Sequence, residues 1–258
     1  PLDGATQALA RQAARLLEVS CGQNHSLEEV ATRLGCTPRH LRRAFVPEYP
    51  LPPVQYLQTC RLLLAKSLLT DTALPVLAVA TAAGFGSLRR FNALFNAQYR
   101  LSPTALRKQA GEAASTKNQD SVTLALGYRP PYRWAQMLEF LQARAIPGVE
   151  AVQGGEYLRT VHHKGADGKP LYGWIRVKNL PEKNRLAVTV AAGLLPVLPL
   201  VLARVRHLFD VYCDPGAVYE ALATMNDIRP DLCVPGTRLP GCYDPFELAV
   251  RTVLGQQI

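Results

Sequence analysis

Apolar residues recur at helical spacing through most of the first 110 positions, then switch to alternation after residue 120. Residues 5–19 (ATQALARQAARLLEV) predict a first amphipathic helix. Ser26-Leu27-Glu28-Glu29 is a capping box, with Leu27, Val30, Ala31 and Leu34 carrying the helix behind it and Gly35 ending it. Thr37-Pro38 pairs a cap with a proline at the first helical position. Leu41, Ala44 and Phe45 then point inward, and Arg39, His40, Arg42 and Arg43 point out. Residues 54–69 (VQYLQTCRLLLAKSLL) predict a long amphipathic helix.

The stretch 84–103 (GFGSLRRFNALFNAQYRLSP) repeats the pattern. A glycine turn precedes Ser87, whose hydroxyl is placed to cap the next helix. Leu88, Phe91, Leu94 and Phe95 fall on one face; Arg89, Arg90, Asn92 and Asn96 fall on the other. Val30-Ala31 and Gly35 recur as Val79-Ala80 and Gly84, and Leu41 and Phe45 recur as Phe91 and Phe95 with one extra residue in the turn. A basic face occurring once is usually only a wetted surface; the same face twice, behind the same turn, points to two helix-turn-helix units. Arg offers two donors to guanine O6 and N7, and Asn pairs with an adenine edge. The helix at 54–69 would set the two reading heads roughly one turn of DNA apart.

After a polar, aperiodic linker at 111–120 the alternation begins. Strands are predicted at 121–126, 149–152, 157–163, 171–178 and 186–190, with helices at 134–145 and 197–209. This order implies an antiparallel sheet with helices on one face. Near the end, Asp244 caps a helix whose first position is Pro245, with Phe246, Ala249, Val250 and Val253 as its buried stripe.

Charge strengthens this picture. The chain holds 29 Lys+Arg against 20 Asp+Glu, net +9 with a pI near 9.4. Residues 1–115 hold 13 basic and 7 acidic side chains, and residues 116–258 hold 16 and 13, so the excess is concentrated in the helical half. That excess favours a polyanionic partner, nucleic acid or membrane surface. The six cysteines form no C-x-x-C pair and no zinc spacing, and read as reduced, cytosolic small hydrophobes. The apolar run 186–203 is broken by Gly193, Pro196 and Pro199 and is no membrane span. His162 and His163 are adjacent in a strand and so point to opposite faces, which disfavours a shared metal.

Residues 5–109 resemble the AraC/XylS-type DNA-binding domain. The resemblance rests on Ala31, Gly35, Leu41, Arg43 and Phe45 in the first unit, and on Ala80, Gly84, Phe85, Phe91, Phe95, Ser102, Pro103 and Arg107 in the second. Arg100 departs from the family, which usually has glycine before the Ser-Pro. The resemblance implies sequence-specific binding of double-stranded DNA by Arg39, His40, Arg42, Arg43, Ser87, Arg89, Arg90, Asn92 and Asn96, with Arg107 and Lys108 on phosphates. RNA polymerase is a second candidate partner.

Residues 122–258 resemble the N-terminal part of the alkylation-repair glycosylases, DNA-3-methyladenine glycosylase type II. The motifs are PPYRW at 130–134, FLQARAIPGVE at 140–150, RHLFDVYCDP at 206–215 and LPGCYDPFELAVRTVLGQQI at 239–258. The resemblance implies an α+β domain followed by a helix-hairpin-helix domain with a catalytic aspartate, expected beyond Ile258. It places Gln256 and Gln257 at the start of the base pocket, Gln257 at the position of the wedge residue, where other members have leucine. No catalytic residue is assigned within the chain: Asp244 reads as a cap. No cofactor is implied here; zinc belongs to an Ada-type methyl-acceptor module expected upstream. The chain opens without methionine and stops inside a helical pattern, so a longer polypeptide is expected.

The expected organisation is multidomain: an all-α tandem helix-turn-helix domain (1–110), a linker (111–120), an α+β antiparallel-sheet domain (121–238) and the first helix of a truncated helical domain (239–258). The expected function is regulation of, and repair in, the adaptive response to alkylation, with the full-length parent excising bases such as 3-methyladenine. The alternative is an AraC-family regulator whose C-terminal domain binds a small effector.

Overall fold

The structure, a computed structural model, describes residues 4–22, 26–111, 120–165 and 167–256. Most of the predicted linker and Gln257 lie outside these. The described residues cluster into two compact units. The first runs to Val122 and adds His163–Leu171 and Ala192–Val201; the second takes Thr123–His162, Tyr172–Ala191 and the chain from Leu202.

The first unit opens with seven helices: α1 (Gly4–Val19), α2 (Leu27–Arg33), α3 (Pro38–Glu48), α4 (Pro53–Asp71), α5 (Val76–Ala82), α6 (Leu88–Tyr99) and α7 (Pro103–Ala110). α1 packs against α3 and α4, and α4 also meets α5 and α7. Ala13, Ala14 and Leu17 of α1 close with Val30, Ala31, Leu41 and Phe45 into one core cluster. The Tyr56 hydroxyl donates to Glu18 at 2.7 Å, pinning α4 to α1. Farther along, Phe85, Phe91, Phe95 and Tyr99 meet in a chain of tilted ring contacts, with centroids 4.6 to 5.4 Å apart. Arg100 ends α6 in the left-handed region, φ 56°. The turn the family builds with glycine is therefore kept here by an arginine.

The second unit is built on a five-stranded antiparallel sheet of order β1-β5-β4-β3-β2. Its strands are β1 (Ser121–Gly127), β2 (Glu150–Gln153), β3 (Glu156–Lys164), β4 (Pro170–Leu180) and β5 (Arg185–Ala191). Leu124, Val161, Ile175, Val177, Leu186 and Val188 are buried. Met137, Leu138 and Leu141 of α8 (Trp134–Gln142) are buried with them. Phe209, just after α9 (Leu198–Leu208), stacks on Trp134 and meets Tyr157 edge-on at 5.5 Å. The helix expected at 197–209 begins as a 3-10 run over Ala192–Val197, because Gly193, Pro196 and Pro199 resist a regular α start.

Two results depart from expectation. α10 (Pro215–Leu222) was not foreseen, although Asp214 accepts from the Gly216 and Ala217 amides in the same Asp-Pro arrangement as the last helix. That last helix, α12 (Pro245–Gly255; α11 is Met225–Ile228), is also inverted. Its stripe is not buried: Phe246 is 79% exposed, and Ala249, Val250 and Val253 are exposed too. Glu247 and Arg251 are its more buried positions. Glu247 and Arg251 join Glu150 and Arg159 in a four-member charge cluster.

The reason lies on the inner face of β3. Arg159 follows the same alternation as Tyr157 and Val161, so its guanidinium is carried inward and is only 5% exposed. A buried charge must be paired. Glu150 accepts from Arg159 at 2.9 Å, from the Tyr157 hydroxyl at 2.6 Å and from Arg251 at 2.5 Å, and Glu247 takes the other side of Arg159. Arg204 ties the start of α12 by donating to Asp244 at 2.9 Å and to the Tyr243 carbonyl. These pairings outweigh burial of the apolar stripe, for which the described residues supply no cover.

Burial pushes the Glu150 carboxyl up, but hydrogen bonds from Arg251 and Tyr157 and the Arg159 charge bring it below the usual range. The Arg204 hydrogen bond is the main cause that holds Asp244 low. Both folded values lie below the unfolded ones, so this stabilisation is complete above about pH 4 and drains away as pH falls through the folded values. In thermal denaturation, Glu150→Gln is expected to cost about 3–5 kcal/mol at neutral pH, because it leaves the buried Arg159 guanidinium and the half-buried Arg251 underpaired. Its deficit relative to the parent should shrink in acid. Arg100→Gly is expected to stabilise by about 1 kcal/mol, since glycine reaches the left-handed region without the Cβ penalty.

Candidate nucleic-acid interface

The two reading heads are built by the same local rules. Ser26 accepts from the Glu29 amide while Glu29 returns to the Ser26 amide, the full capping box. Thr37 accepts from His40 N and starts α3; Ser87 accepts from Arg90 N at 3.3 Å and starts α6. Leu41 and Phe45, like Phe91 and Phe95, are fully buried. Burying those positions turns the remaining faces of α3 and α6 to solvent. Arg39, Arg42 and Arg43 are exposed and His40 is half-buried, its Nδ1 3.4 Å from Arg43 Nη2. Ser87, Arg89, Arg90 and Asn96 are exposed and Asn92 is half-buried. Leu88 departs from expectation: it is exposed at the first position of α6, ahead of the turn that packs.

Both turns need glycine, for different reasons. Gly35 has φ 65° with open space around it. Gly84 has φ 82°, and a Cβ there would collide with the Cys21 carbonyl oxygen, which also accepts from Arg61 Nε at 2.7 Å. The second turn is thus wedged against the Cys21-Gly22 backbone just past α1 and against Arg61 of α4, and the first has open space around it. α4, with 19 residues, spans about 28 Å between the heads.

Arg107 does not sit where expected. It is half-buried and donates to the Leu74 carbonyl, stapling α7 to the loop before α5. Burial lowers its proton affinity and leaves its Nε without a hydrogen bond. That carbonyl takes one of the five donors of the Arg107 fork, while Lys108, the other residue expected on phosphates, is exposed. In the second unit, Gln256 is exposed just past α12, and Gln257 lies outside the described residues. Asp244 accepts from the Phe246 and Glu247 amides, the cap expected of it. His162 is exposed and His163 buried, on opposite faces of β3 as expected. No group of three or more His, Cys, Asp or Glu among the described residues is placed to hold a metal. No described helix is long and apolar enough to cross a membrane.

Sequence reasoning missed the buried charges. Arg159, Arg251 and Arg238 carry no motif that singles them out, yet Arg238 donates to the carbonyls of Cys213, Arg129 and Pro131 and lies 4.9 Å over the Tyr132 ring. For Arg159 the clue was strand parity, since it shares its phase with Tyr157 and Val161.

Two helix-turn-helix units braced by one long helix, followed by an antiparallel α+β unit, define a helix-turn-helix chain with an appended second domain. The family described as Helix-turn-helix domain matches residues 30–109, and that described as AlkA N-terminal domain matches residues 123–244. The chain joins an AraC-type helix-turn-helix domain to an AlkA N-terminal domain. It is 32% identical over 250 residues to the probable bifunctional transcriptional activator/DNA repair enzyme AlkA of Mycobacterium tuberculosis (strain H37Rv), covering 96% of this chain and 49% of that protein. It is 38% identical over 138 residues to DNA-3-methyladenine glycosylase 2 of Escherichia coli (strain K12), covering 52% of this chain and 44% of that protein. A third relative is the HTH-type transcriptional regulator Rv1931c of Mycobacterium tuberculosis, 32% identical over 87 residues, with 34% of each chain covered. The chain spans about half the length, or less, of these curated relatives.

The two glycines should separate in stability measurements. Gly35→Ala is expected to cost about 1–2 kcal/mol, the left-handed penalty alone. Gly84→Ala should cost clearly more, because its Cβ also displaces backbone. Equal losses would show that the second turn is not wedged.

Proposed function

We propose that this chain is the operator-reading and scaffold region of an adaptive-response protein that couples transcription control to repair of alkylated DNA. Residues 1–110 read double-stranded DNA, 111–120 link, 121–238 form the glycosylase scaffold and 239–258 begin the base-handling domain. In the full-length protein, alkylated bases such as 3-methyladenine are excised by N-glycosidic hydrolysis; Gln256 and Gln257 stand at the entrance to that pocket. The protein works in the bacterial cytoplasm, with RNA polymerase as the partner of the activator function.

One observation carries the DNA-reading part. α3 and α6 start on equivalent caps, bury equivalent residues and turn Arg39, Arg42 and Arg43, and Arg89, Arg90 and Asn96, to solvent. Arginine and asparagine at the start of a helix suit guanine and adenine edges in a major groove. Two heads on a braced spacer suit two successive grooves of one duplex. The matched AlkA N-terminal region, and the likeness to an activator/repair enzyme over nearly the whole chain, support the repair part.

Selection from random duplexes, followed by titration of the recovered site, tests this reading. Arg89→Ala and Arg90→Ala are each expected to weaken that site about 5- to 150-fold while non-specific binding holds. Lys108→Ala should weaken all duplexes alike and reduce the salt slope by about one. Arg107→Ala should instead lower the melting temperature and leave the salt slope of the folded protein unchanged. Selection that returns no preferred duplex would sink the reading.

A further inference from the structure

We propose that the outer face of the five-stranded sheet is a stacking platform for single-stranded nucleic acid, distinct from the duplex-reading helices. The inner face is filled by Tyr157, Val161, Ile175, Val177, Leu186 and Val188. Alternation sends the intervening residues of β4 the other way: Tyr172, Trp174, Arg176 and Lys178, all exposed. Tyr172 is 71% exposed and Trp174 39%. Leaving two large rings in water costs hydrophobic free energy, and both sit in one row on one strand.

The row has the chemistry of a base-stacking groove. His162, on neighbouring β3, stacks on the Tyr172 ring with centroids 4.9 Å and planes 28° apart, which holds that ring in place. The Arg176 guanidinium lies 5.9 Å from the Trp174 ring. Next to the rings, Arg176 and Lys178 are joined by Arg185, which the β4–β5 register sets opposite Leu180 on the same face. Glu156 lies 3.8 Å from both Arg176 and Lys178, and among the described residues no ion pair is formed by Arg185. The face therefore keeps a positive excess beside its rings. Alternate side chains along a strand are about 7 Å apart, roughly twice the 3.4 Å rise per nucleotide of a stacked strand. That spacing suits bases pulled apart from one another, and a duplex hides its base faces. Single-strand sites in general combine aromatic stacking with a cationic track for the backbone. Rings first and cations next along one strand is that combination, and it fits an unpaired oligonucleotide better than a small effector or an acidic peptide.

The test titrates the full 258-residue chain with a twelve-nucleotide oligothymidylate and reads tryptophan fluorescence. Trp174 is one of two tryptophans; the other, Trp134, donates Nε1–H to the Gly155 carbonyl at 3.0 Å and stacks on Phe209. Saturable quenching is expected with the oligonucleotide, and none with a duplex of equal length. Trp174→Ala should abolish the quenching, and by anisotropy of a labelled oligonucleotide should weaken binding about 5- to 150-fold. Tyr172→Ala should weaken it comparably, and Trp174→Phe should keep most of the affinity. Both rings are exposed, and unchanged far-UV dichroism verifies that the variants fold. Arg89→Ala with Arg90→Ala should spare this quenching while losing operator affinity, so the platform and the duplex-reading proposal stand or fall separately. Quenching that survives in Trp174→Ala, equal quenching by duplex, or unchanged affinity in both alanine variants would overturn the platform.

Discussion

The helices that carry the proposed contacts begin on a side-chain oxygen that accepts from an otherwise unpaired amide. Thr37 does this for α3, Ser87 for α6, Ser102 for α7 and Asp244 for α12. The first amides of a helix have no partner inside it, so the residue that satisfies them decides where the helix starts. The start decides which residues lie in the first turn, and the first turn is the part of a recognition helix that approaches bases. A shift of one residue would rotate the outward face by about 100° and bury an arginine. The caps therefore set which residues these helices present.

Tertiary packing then commits the opposite faces. Leu41 and Phe45, and Phe91 and Phe95, enter their cores, so the cationic side must face solvent. The two heads are not equivalent. The first turn is unconstrained around Gly35, whereas the second is held against the Cys21 carbonyl at Gly84 and braced by Arg107 on Leu74. One head is thus more rigidly mounted than the other, although both carry the same kind of surface.

In the second unit a buried guanidinium, more than apolar burial, organises the end of the chain. Arg159 must be neutralised, and α12 contributes Glu247 and Arg251 to the cluster that does so. That orientation leaves Phe246, Val250 and Val253 facing outward. A helix docked by its charges and presenting its apolar side reverses the usual amphipathic arrangement. On the sheet, strict alternation has a second consequence: the residues that cannot enter the core gather on one outer face, where Tyr172 and Trp174 stand beside Arg176 and Lys178.

The sequence by itself determined the elements whose causes are local. Caps at Ser26, Thr37, Ser87 and Asp244, the glycine turns at Gly35 and Gly84, the repeat between the heads and the five alternating strands all follow from neighbours within a few residues. The same rule would have revealed α10 behind Asp214-Pro215. What only the tertiary structure decided were the fates of charges and stripes whose partners lie far along the chain. Arg107 meets a carbonyl 33 residues away, and Arg159 meets a carboxylate 88 residues away. A cation in a sequence looks the same whether it faces water or a buried acid, and the difference is set by which distant group the fold brings within hydrogen-bonding reach.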